Sequence, residues 1–326
     1  MSNNFYNEHT LIIKKWYASK DKSITDSSIK TYLQAFKKLS KELFNSNKPN
    51  LQYLRDHESI IEYLDKEVKS LSTRKSIGTS ILVILKCNKD KITDSEKLLA
   101  IYTEYHKKLA LLQNETYLDN ERTEREEENW ITGAEIKKKI KSLEKIINKK
   151  DAFKGTPRMF CDLIQQYTVL QLYTILPPIR LDWGNVIVIE NAVDPEKPLK
   201  NILNLKTNNL FLVDYKTKKS YGTKKIEIPN QLMVVIKKFQ EAKKDFNITC
   251  DALLINTTNK EPMKMNSLTK YINKIFKPKK VSITLLRKMY LSEKYPVTET
   301  MRNRQEDSYI MGHSVNTQQL IYSKKI

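Results

Sequence analysis

Apolar residues recur every three or four positions along the first third of the chain. This spacing puts them on one face of a helix, and the polar cluster Asp26-Ser27-Ser28 is typical of a helix N-cap that separates two such helices. The sequence therefore predicts four or five helices over residues 1–118, with little sign of strands. The periodic stretches are Thr10–Phe44, Tyr53–Val68, Thr73–Lys86 and Asp94–Leu111.

The segment that follows is polar and acidic. Asn114–Asn129 reads NETYLDNERTEREEEN and has no apolar face, which is typical of an exposed linker or a solvated helix end. We place the linker at residues 119–129 and a second domain at residues 130–326. Thr132 stands three residues before Glu135, a capping-box spacing that predicts a helix at the start of this domain.

The second domain combines helices with a few short strands. A helix is predicted over Met159–Leu176, where Pro177-Pro178 stops it, and short β-branched or alternating runs follow. With a bend at Tyr221-Gly222-Thr223, these runs predict a small antiparallel sheet among helices. The fold class is thus mainly α with a small antiparallel β-sheet (α+β). The predicted strands are Val186–Ile189, Leu210–Tyr215 and Lys225–Ile228; the later helices are Gln231–Phe246 with Asn230 as its cap, Ser267–Phe276, Ile283–Glu293, Glu306–Met311 and Val315–Tyr322.

The positive charge of the chain is concentrated in its second part. The formal net charge is +20; residues 1–129 hold 22 Lys and Arg against 20 Asp and Glu, whereas residues 130–326 hold 36 against 18. A surface this one-sided attracts a polyanion, most often nucleic acid, because each neutralised phosphate releases counterions. Lysines that are merely solvated would give the same balance, so charge alone does not decide the function.

Cysteine and histidine are too few and too scattered to predict a disulfide framework or a metal site. The three cysteines (Cys87, Cys161 and Cys250) and the four histidines lie far apart, which indicates a reducing compartment and no metal. The amino terminus lacks a secretion signal, and the longest apolar stretch, Ile81–Leu85, is far too short to span a bilayer. We therefore expect an intracellular protein with no membrane partner.

Several polar residues of the second domain stand in short recognisable segments. Met311-Gly312-His313-Ser314 is followed by Tyr322, nine residues beyond the histidine, and Ser282–Arg287 reads SITLLR. Upstream, Arg180 follows two prolines and precedes a tryptophan and the first predicted strand, and Lys216 lies on a turn between two predicted strands. In order and spacing, these segments resemble those of the tyrosine recombinases, also called phage integrases. The resemblance covers the chain from about Trp130 to its end.

Each segment matches a particular part of that family's pattern. The tail is similar to the LGHS…T…Y segment, and SITLLR is similar to the HxLR box, with Thr284 where the family usually has histidine. The segment around Arg180 has the PPxR form of integrases from large DNA viruses, virophages and mobile elements. Lys216 matches the family's lysine, with Lys218 and Lys219 as close rivals. The resemblance implies a helical core-binding domain followed by a tyrosine-recombinase catalytic domain.

The resemblance also implies a reaction that needs no metal or other cofactor. Tyr322 would be the nucleophile that forms a covalent phosphotyrosine. Arg180 and Arg287 would hold the phosphate oxygens through bidentate contacts that lysine cannot copy. Lys216 would protonate the departing 5′ oxygen. His313 would hydrogen-bond a phosphate oxygen and help to move the proton at Tyr322.

The partner implied is double-stranded DNA, held between the two domains. The protein would be a monomer in solution and a homotetramer on DNA, because strand exchange between two duplexes needs four active sites. Lys218, Lys219, Lys224 and Lys225 are further candidates for DNA binding. Most such contacts would go to phosphates, which carry no sequence information, so the target sequence is not predicted. A viral or transposon source would put the protein in a host nucleus or a virus factory.

Three other interpretations remain open from the sequence. A type IB topoisomerase would use the same five residues but nick and close one strand while working alone. A catalytically inactive DNA-binding relative is favoured by Thr284, which either supports a phosphate oxygen through one hydrogen bond or marks a partly degenerate box. A scaffold protein would explain the basic second part but would leave the order of the five residues to coincidence.

Overall fold

A computed structural model describes residues 2–118, 120–295, 300–310 and 314–317. Contacts within the chain divide it into two compact units, Met1–Glu121 with Glu299–Ile326, and Arg122–Thr298. The described residues are mostly helical, with small sheets in the second unit, so the predicted α+β class is confirmed. The helices are α1 (Ser2–Ala18), α2 (Asp26–Phe44), α3 (His57–Lys66), α4 (Leu71–Cys87), α5 (Ser95–Leu118), α6 (Glu124–Asn129), α7 (Gly133–Ile147), α8 (Pro157–Leu172), α9 (Lys218–Tyr221), α10 (Asn230–Asp245), α11 (Met265–Ile275), α12 (Ile283–Lys294), α13 (Met301–Ile310) and α14 (Val315–Thr317). The strands are β1 (Val186–Ile189), β2 (Asn201–Asn204), β3 (Asn209–Leu212), β4 (Lys224–Glu227), β5 (Ile255–Asn256) and β6 (Glu261–Pro262).

The first unit is built from the helices that the apolar spacing predicts. Side chains of Thr25, Asp56 and Ser70 each accept a backbone N–H bond at the start of α2, α3 and α4, which satisfies donors that a helix leaves unpaired. The apolar faces meet in a core in which Phe36 and Tyr102 are each only 1% exposed. The Tyr102 hydroxyl donates to the carbonyl of Leu54 at 2.9 Å.

The second unit begins with the capping box that the sequence predicts. Thr132 accepts from the Glu135 amide at 3.1 Å, and the Glu135 carboxylate accepts from the Thr132 amide at 2.7 Å. Helix α8 ends at Leu172, four residues before the predicted end, whereas the prolines disfavour a helical conformation only at Leu176 directly before them. Asn230 is not the cap of α10 as predicted: Pro229 holds that position.

The main sheet of the second unit is mixed rather than purely antiparallel. Its order is β1-β2-β3-β4, and β1 pairs parallel to β2 whereas the other two pairs are antiparallel. The sequence reading missed β2, which has only four residues and an asparagine at each end. It also missed the small β5–β6 pair, whose strands have two residues each.

The pairing register brings one end of every strand to the same side. Val186 is opposite Asn201, and Leu212 is opposite Lys224; the β2–β3 register sets Ile202 opposite Phe211 and therefore Asn201 beside Leu212. We call this side, marked by Val186, Asn201, Leu212 and Lys224, the site end of the sheet. The segment that precedes β1 and the connection from β3 to β4 therefore both lie at the site end.

The connection from β1 to β2 runs from the opposite end back to the site end. Near its start, Asp194 accepts from Asn204 at 3.1 Å and Asn209 at 2.7 Å and forms an ion pair with Lys225 at 2.9 Å. These bonds anchor the connection to the far end of the sheet. At its return, Leu199 is 91% exposed.

The second part of the predicted acidic linker is a helix held against the second unit. Helix α6 has its own capping box between Thr123 and Glu126. Glu126 forms an ion pair with Lys288 on α12, and Asn129 accepts from the Lys280 amide at 2.6 Å. The predicted functional division into residues 1–118, 119–129 and 130–326 stays a prediction.

The described C-terminal helix α13 starts at Met301, five residues earlier than predicted. Of the predicted helix Val315–Tyr322, residues beyond Thr317 lie outside the described part of the chain. Among the described helices, none is both long and apolar enough to cross a bilayer.

Candidate active site

Two segments that carry predicted site residues meet at the site end of the sheet. Arg180 directly precedes a 3-10 helix, Leu181–Asn185, that leads into β1, and Lys216 lies in the connection between β3 and β4. The Asn185 side chain donates to the Asp214 carboxylate at 3.3 Å. Two residues that are 29 positions apart in sequence are therefore in contact.

The backbone at Arg180 is held by a buried tyrosine. Tyr173, which is 2% exposed, donates its hydroxyl to the Arg180 carbonyl at 2.9 Å. Burial, with a contribution from Asp182, raises the pKa of Tyr173, so its hydroxyl stays a proton donor at ordinary pH. The Arg180 side chain is half-buried, and within the described residues its guanidinium forms no ion pair or hydrogen bond.

A buried carboxylate accompanies Arg180. Asp182 is 5% exposed; its burial raises the pKa of its carboxyl, Asp214 raises it further, and the charge of Arg180 lowers it. The electrostatic influence of Arg180 and Asp214 on one carboxyl again indicates that the Arg180 segment and the β3–β4 connection are close. Burial therefore disfavours the ionised form of a carboxyl that interacts electrostatically with Arg180.

The 3-10 helix between Arg180 and β1 is fixed by close packing. Trp183 is 1% exposed, and a Cβ added at Gly184 would lie 3.2 Å from the Cα of Met265 on α11. That distance is tighter than ordinary Cβ contacts, so glycine allows the backbones to approach. The segment that carries Arg180 is therefore held from both sides, by Tyr173 and by α11.

The connection that carries Lys216 is closed by contacts within itself. The Tyr215 hydroxyl donates to the Gly222 carbonyl at 2.6 Å, and Gly222 has a φ of 64°, which favours glycine. The Lys224 ammonium lies 5.1 Å and 5.0 Å from the ring centres of Tyr215 and Tyr221, within cation–π range. Lys216 itself is exposed.

Arg287 and Thr284 lie on α12, whose start is capped by Ser282 through the Leu285 amide at 3.1 Å. Leu285 and Leu286 are 5% and 2% exposed, so the predicted buried face is confirmed. Arg287 is half-buried, Thr284 is exposed, and the Arg287 guanidinium has no ion pair among the described residues.

Helix α12 and Tyr173 line a common cavity. It has a volume of about 620 Å³ and is lined by Tyr173 on one side and by Met289 and Tyr290 of α12 on another. Tyr173 also donates to the Arg180 carbonyl, but neither Arg180 nor Arg287 is among the residues that line this cavity. Arg180, Lys216 and Arg287 belong to the same compact unit of the chain.

The remaining predicted residues differ in their surroundings. Lys218, Lys219 and Lys224 are exposed at the site end, whereas Lys225 is paired with Asp194. His313 and Tyr322 lie outside the described residues. In the part of the chain that the structure describes, no three His, Cys, Asp or Glu side chains are grouped to hold a metal ion.

Sequence reading missed two residues that shape this site. Tyr173 looks like another apolar position of the predicted helix Met159–Leu176, and only its place seven residues before Arg180 hints at a role. Asn201 looks like part of a polar loop, yet it is fully buried on β2. The sequence feature that could have indicated a buried strand position is an asparagine directly before two apolar residues.

Comparison with known proteins adds little to this geometry. No family model and no curated protein matches the chain. Among solved structures, the crystal structure of XerA recombinase is similar to it with a TM-score of 0.35 and 13% identity, over 98% of this chain and 94% of that chain. A likeness this distant carries no argument about the fold or the function of this chain.

Proposed function

We propose that this chain is a tyrosine recombinase that cuts and rejoins double-stranded DNA through a covalent 3′-phosphotyrosine at Tyr322. One observation carries the proposal: Arg180 and Lys216, named from the resemblance in the sequence, belong to segments that touch at the site end of the sheet. It is supported further by Arg287, which lies half-buried on α12 in the same unit as Arg180 and Lys216.

The chemistry of strand cleavage suits these side chains. The Tyr322 oxygen attacks the phosphorus, a new P–O bond to tyrosine forms, and the P–O bond to the 5′ oxygen breaks. The guanidinium groups of Arg180 and Arg287 are free of described ion pairs and can bind the non-bridging oxygens as they gain charge. Lys216 gives a proton to the departing 5′ oxygen, and His313 takes the proton of the tyrosine. Rejoining is the reverse.

The exposure of the two basic groups fits a solvent-accessible polyanion site. Lys216 is exposed and Arg180 is half-buried, which allows phosphate to reach both. Exposed Lys218, Lys219 and Lys224 extend the positive charge around Lys216 and would contact neighbouring phosphates. In this proposal the protein acts on DNA as a homotetramer, with the domain of residues 1–118 contacting the same duplex.

The test is recovery of a covalent adduct from a library of nicked duplexes with randomised flanks, incubated with the full chain in EDTA and denatured with SDS. We expect an adduct from the parent and none from Tyr322→Phe, whereas Tyr117→Phe, at a tyrosine 62% exposed on α5, leaves it unchanged. Arg180→Ala should slow adduct formation by about 100-fold. The matched control is Arg158→Ala, at an exposed arginine on α8.

The outcomes separate the proposal from its alternatives. Relaxation of a supercoiled plasmid in EDTA by a monomer, without joining of two duplexes, would indicate a type IB topoisomerase. DNA binding with no adduct from any library member would indicate an inactive relative. An adduct that persists in Tyr322→Phe would assign the nucleophile to another tyrosine.

A further inference from the structure

Asn201 connects the sheet to the chain segment that carries Lys216. It is fully buried at the site end of β2. Its side-chain oxygen accepts from the amides of Val213 at 2.8 Å and Asp214 at 2.9 Å. Its side-chain nitrogen donates to the Asp214 carbonyl at 2.9 Å. One amide thus makes three bonds to two consecutive residues, the second of which is two residues before Lys216.

These bonds need the chemistry of an asparagine side chain. The carbonyl oxygen has two lone pairs and the NH₂ group supplies donors, so both ends of the amide are used on one stretch of backbone. A buried polar group is costly unless it is hydrogen-bonded, and an apolar residue would pack at this position without that requirement. An aspartate would keep the acceptor but lose the donor to the Asp214 carbonyl.

The bonds fix the point at which the chain leaves the sheet. Val213 and Asp214 directly follow β3, and the connection then makes its turn at Lys216 before α9. The bond from Tyr215 to Gly222 closes the same connection from its other side. Lys216 is exposed, so no packing of its own side chain determines where its ammonium stands. Its position depends on the backbone that Asn201 holds.

We propose that Asn201 is a positioning residue for Lys216, which sets the ammonium where it can protonate the leaving 5′ oxygen. This inference rests on the proposed function. It predicts a defect in one step only: breaking of the bond to the 5′ oxygen becomes slow because the proton arrives from a misplaced donor. Phosphate binding by Arg180 is unaffected.

The test compares two leaving groups in the full-length protein. The duplex recovered as a covalent adduct is synthesised with oxygen or with sulfur as the 5′ bridging atom of the cleaved linkage. A thiolate leaves without a proton, because thiols are much stronger acids than alcohols. Asn201→Asp and Asn201→Ala should cleave the oxygen substrate at least about tenfold more slowly than the parent, on the scale of general acid catalysis. Both should approach the parent rate on the sulfur substrate, as Lys216→Ala should.

Asn204 provides a matched control. It lies on the same strand, is equally buried, and makes its side-chain bonds at the far end of the sheet, to Asp194 at 3.1 Å and the Lys206 amide at 3.0 Å. Asn204→Ala should lower unfolding stability much as Asn201→Ala does, without any selective loss on the oxygen substrate.

Each other result counts against the inference. Equal slowing of the Asn201 variants on both substrates would mean that the residue only stabilises the fold. If Lys216→Ala lost activity on both substrates, Lys216 would not be the general acid, and Asn201 would have no general acid to position. A parent protein that forms no adduct at all overturns the proposed function, and the inference falls with it.

Discussion

If the chain cleaves DNA as proposed, removing the hydrogen bond from Tyr173 to the Arg180 carbonyl should slow the cleavage. Tyr173→Phe removes a single oxygen and leaves the ring in place. The tyrosine is 2% exposed and its hydroxyl is 2.9 Å from the carbonyl. We expect the variant to fold, to lose stability, and to cleave DNA more slowly because the backbone that carries the Arg180 guanidinium is less constrained.

The size of both effects can be estimated. A net intramolecular hydrogen bond is worth about 1 kcal/mol, and leaving a buried acceptor unpaired costs about 1–3 kcal/mol. This bond is only partly buried, so water can partly replace the lost donor and the loss should lie near the lower values, about 1–2 kcal/mol. Cleavage should fall by about tenfold, which is less than the roughly 100-fold expected for Arg180→Ala, because the guanidinium itself remains.

Tyr102 supplies a control for the same chemical change elsewhere. It is 1% exposed and donates to the Leu54 carbonyl, also at 2.9 Å, but it lies in the core of the first unit. Urea unfolding should give a similar loss for Tyr102→Phe and Tyr173→Phe. Single-turnover adduct formation, measured well below the unfolding midpoint, should be slowed only by Tyr173→Phe.

Two results would refute this reasoning. If both variants slowed adduct formation equally, loss of stability rather than placement of Arg180 would explain the effect. If Tyr173→Phe lost stability but kept the full cleavage rate, the bond would serve the fold alone and the position of the Arg180 backbone would not limit the reaction.

Three further predictions follow from other contacts. Burial raises the pKa of Asp182, so the folded protein loses stability as pH rises from the usual carboxyl range through the raised pKa. Asp182→Asn should therefore be more stable than the parent at neutral pH. In urea titrations this gain should shrink as the pH is lowered. Leu285→Ala should destabilise by about 2–5 kcal/mol, whereas Thr284→Ala, on the exposed face of the same helix, should change stability by less than about 0.5 kcal/mol in the same assay, and equal losses would contradict the assigned faces. Glu126→Gln removes an acidic partner of Lys288 and should tighten DNA binding several-fold at low salt, an advantage that a salt titration should abolish; unchanged affinity at low salt would show that Lys288 does not face DNA.

The helices could be read from the sequence because their signals are local. The capping box at Thr132 and the apolar stripe of α2 each lie within a few residues of the structure that they produce. Strand β2 could not be read in this way. Its asparagines satisfy their amides through partners such as Asp214 and Asp194, which lie 13 and 10 residues away in sequence, and no local pattern reveals those partners.

The sequence could indicate which residues belong to the candidate site, but not where they lie in the fold. The resemblance to a known family named Arg180 and Lys216, yet the contact between their segments depends on the parallel pairing of β1 with β2 and on the strand order. Parallel pairing is a long-range property with no signature in strands of four residues. The supporting roles of Tyr173 and Asp182 arise from contacts across the fold, so single positions could not indicate them.

The return of the β1–β2 connection to the site end has a practical consequence for spectroscopy. Leu199 is 91% exposed and lies two residues before Asn201, so a cysteine introduced there would carry a fluorophore beside the site without replacing a packed side chain. Burial raises the pKa of Cys87 to about 12 and that of Cys161 to about 11, which keeps both thiols in their unreactive protonated form. With Cys250 changed to serine, a single label at 199 would report when a duplex arrives at this end of the sheet, independently of whether any bond is cut.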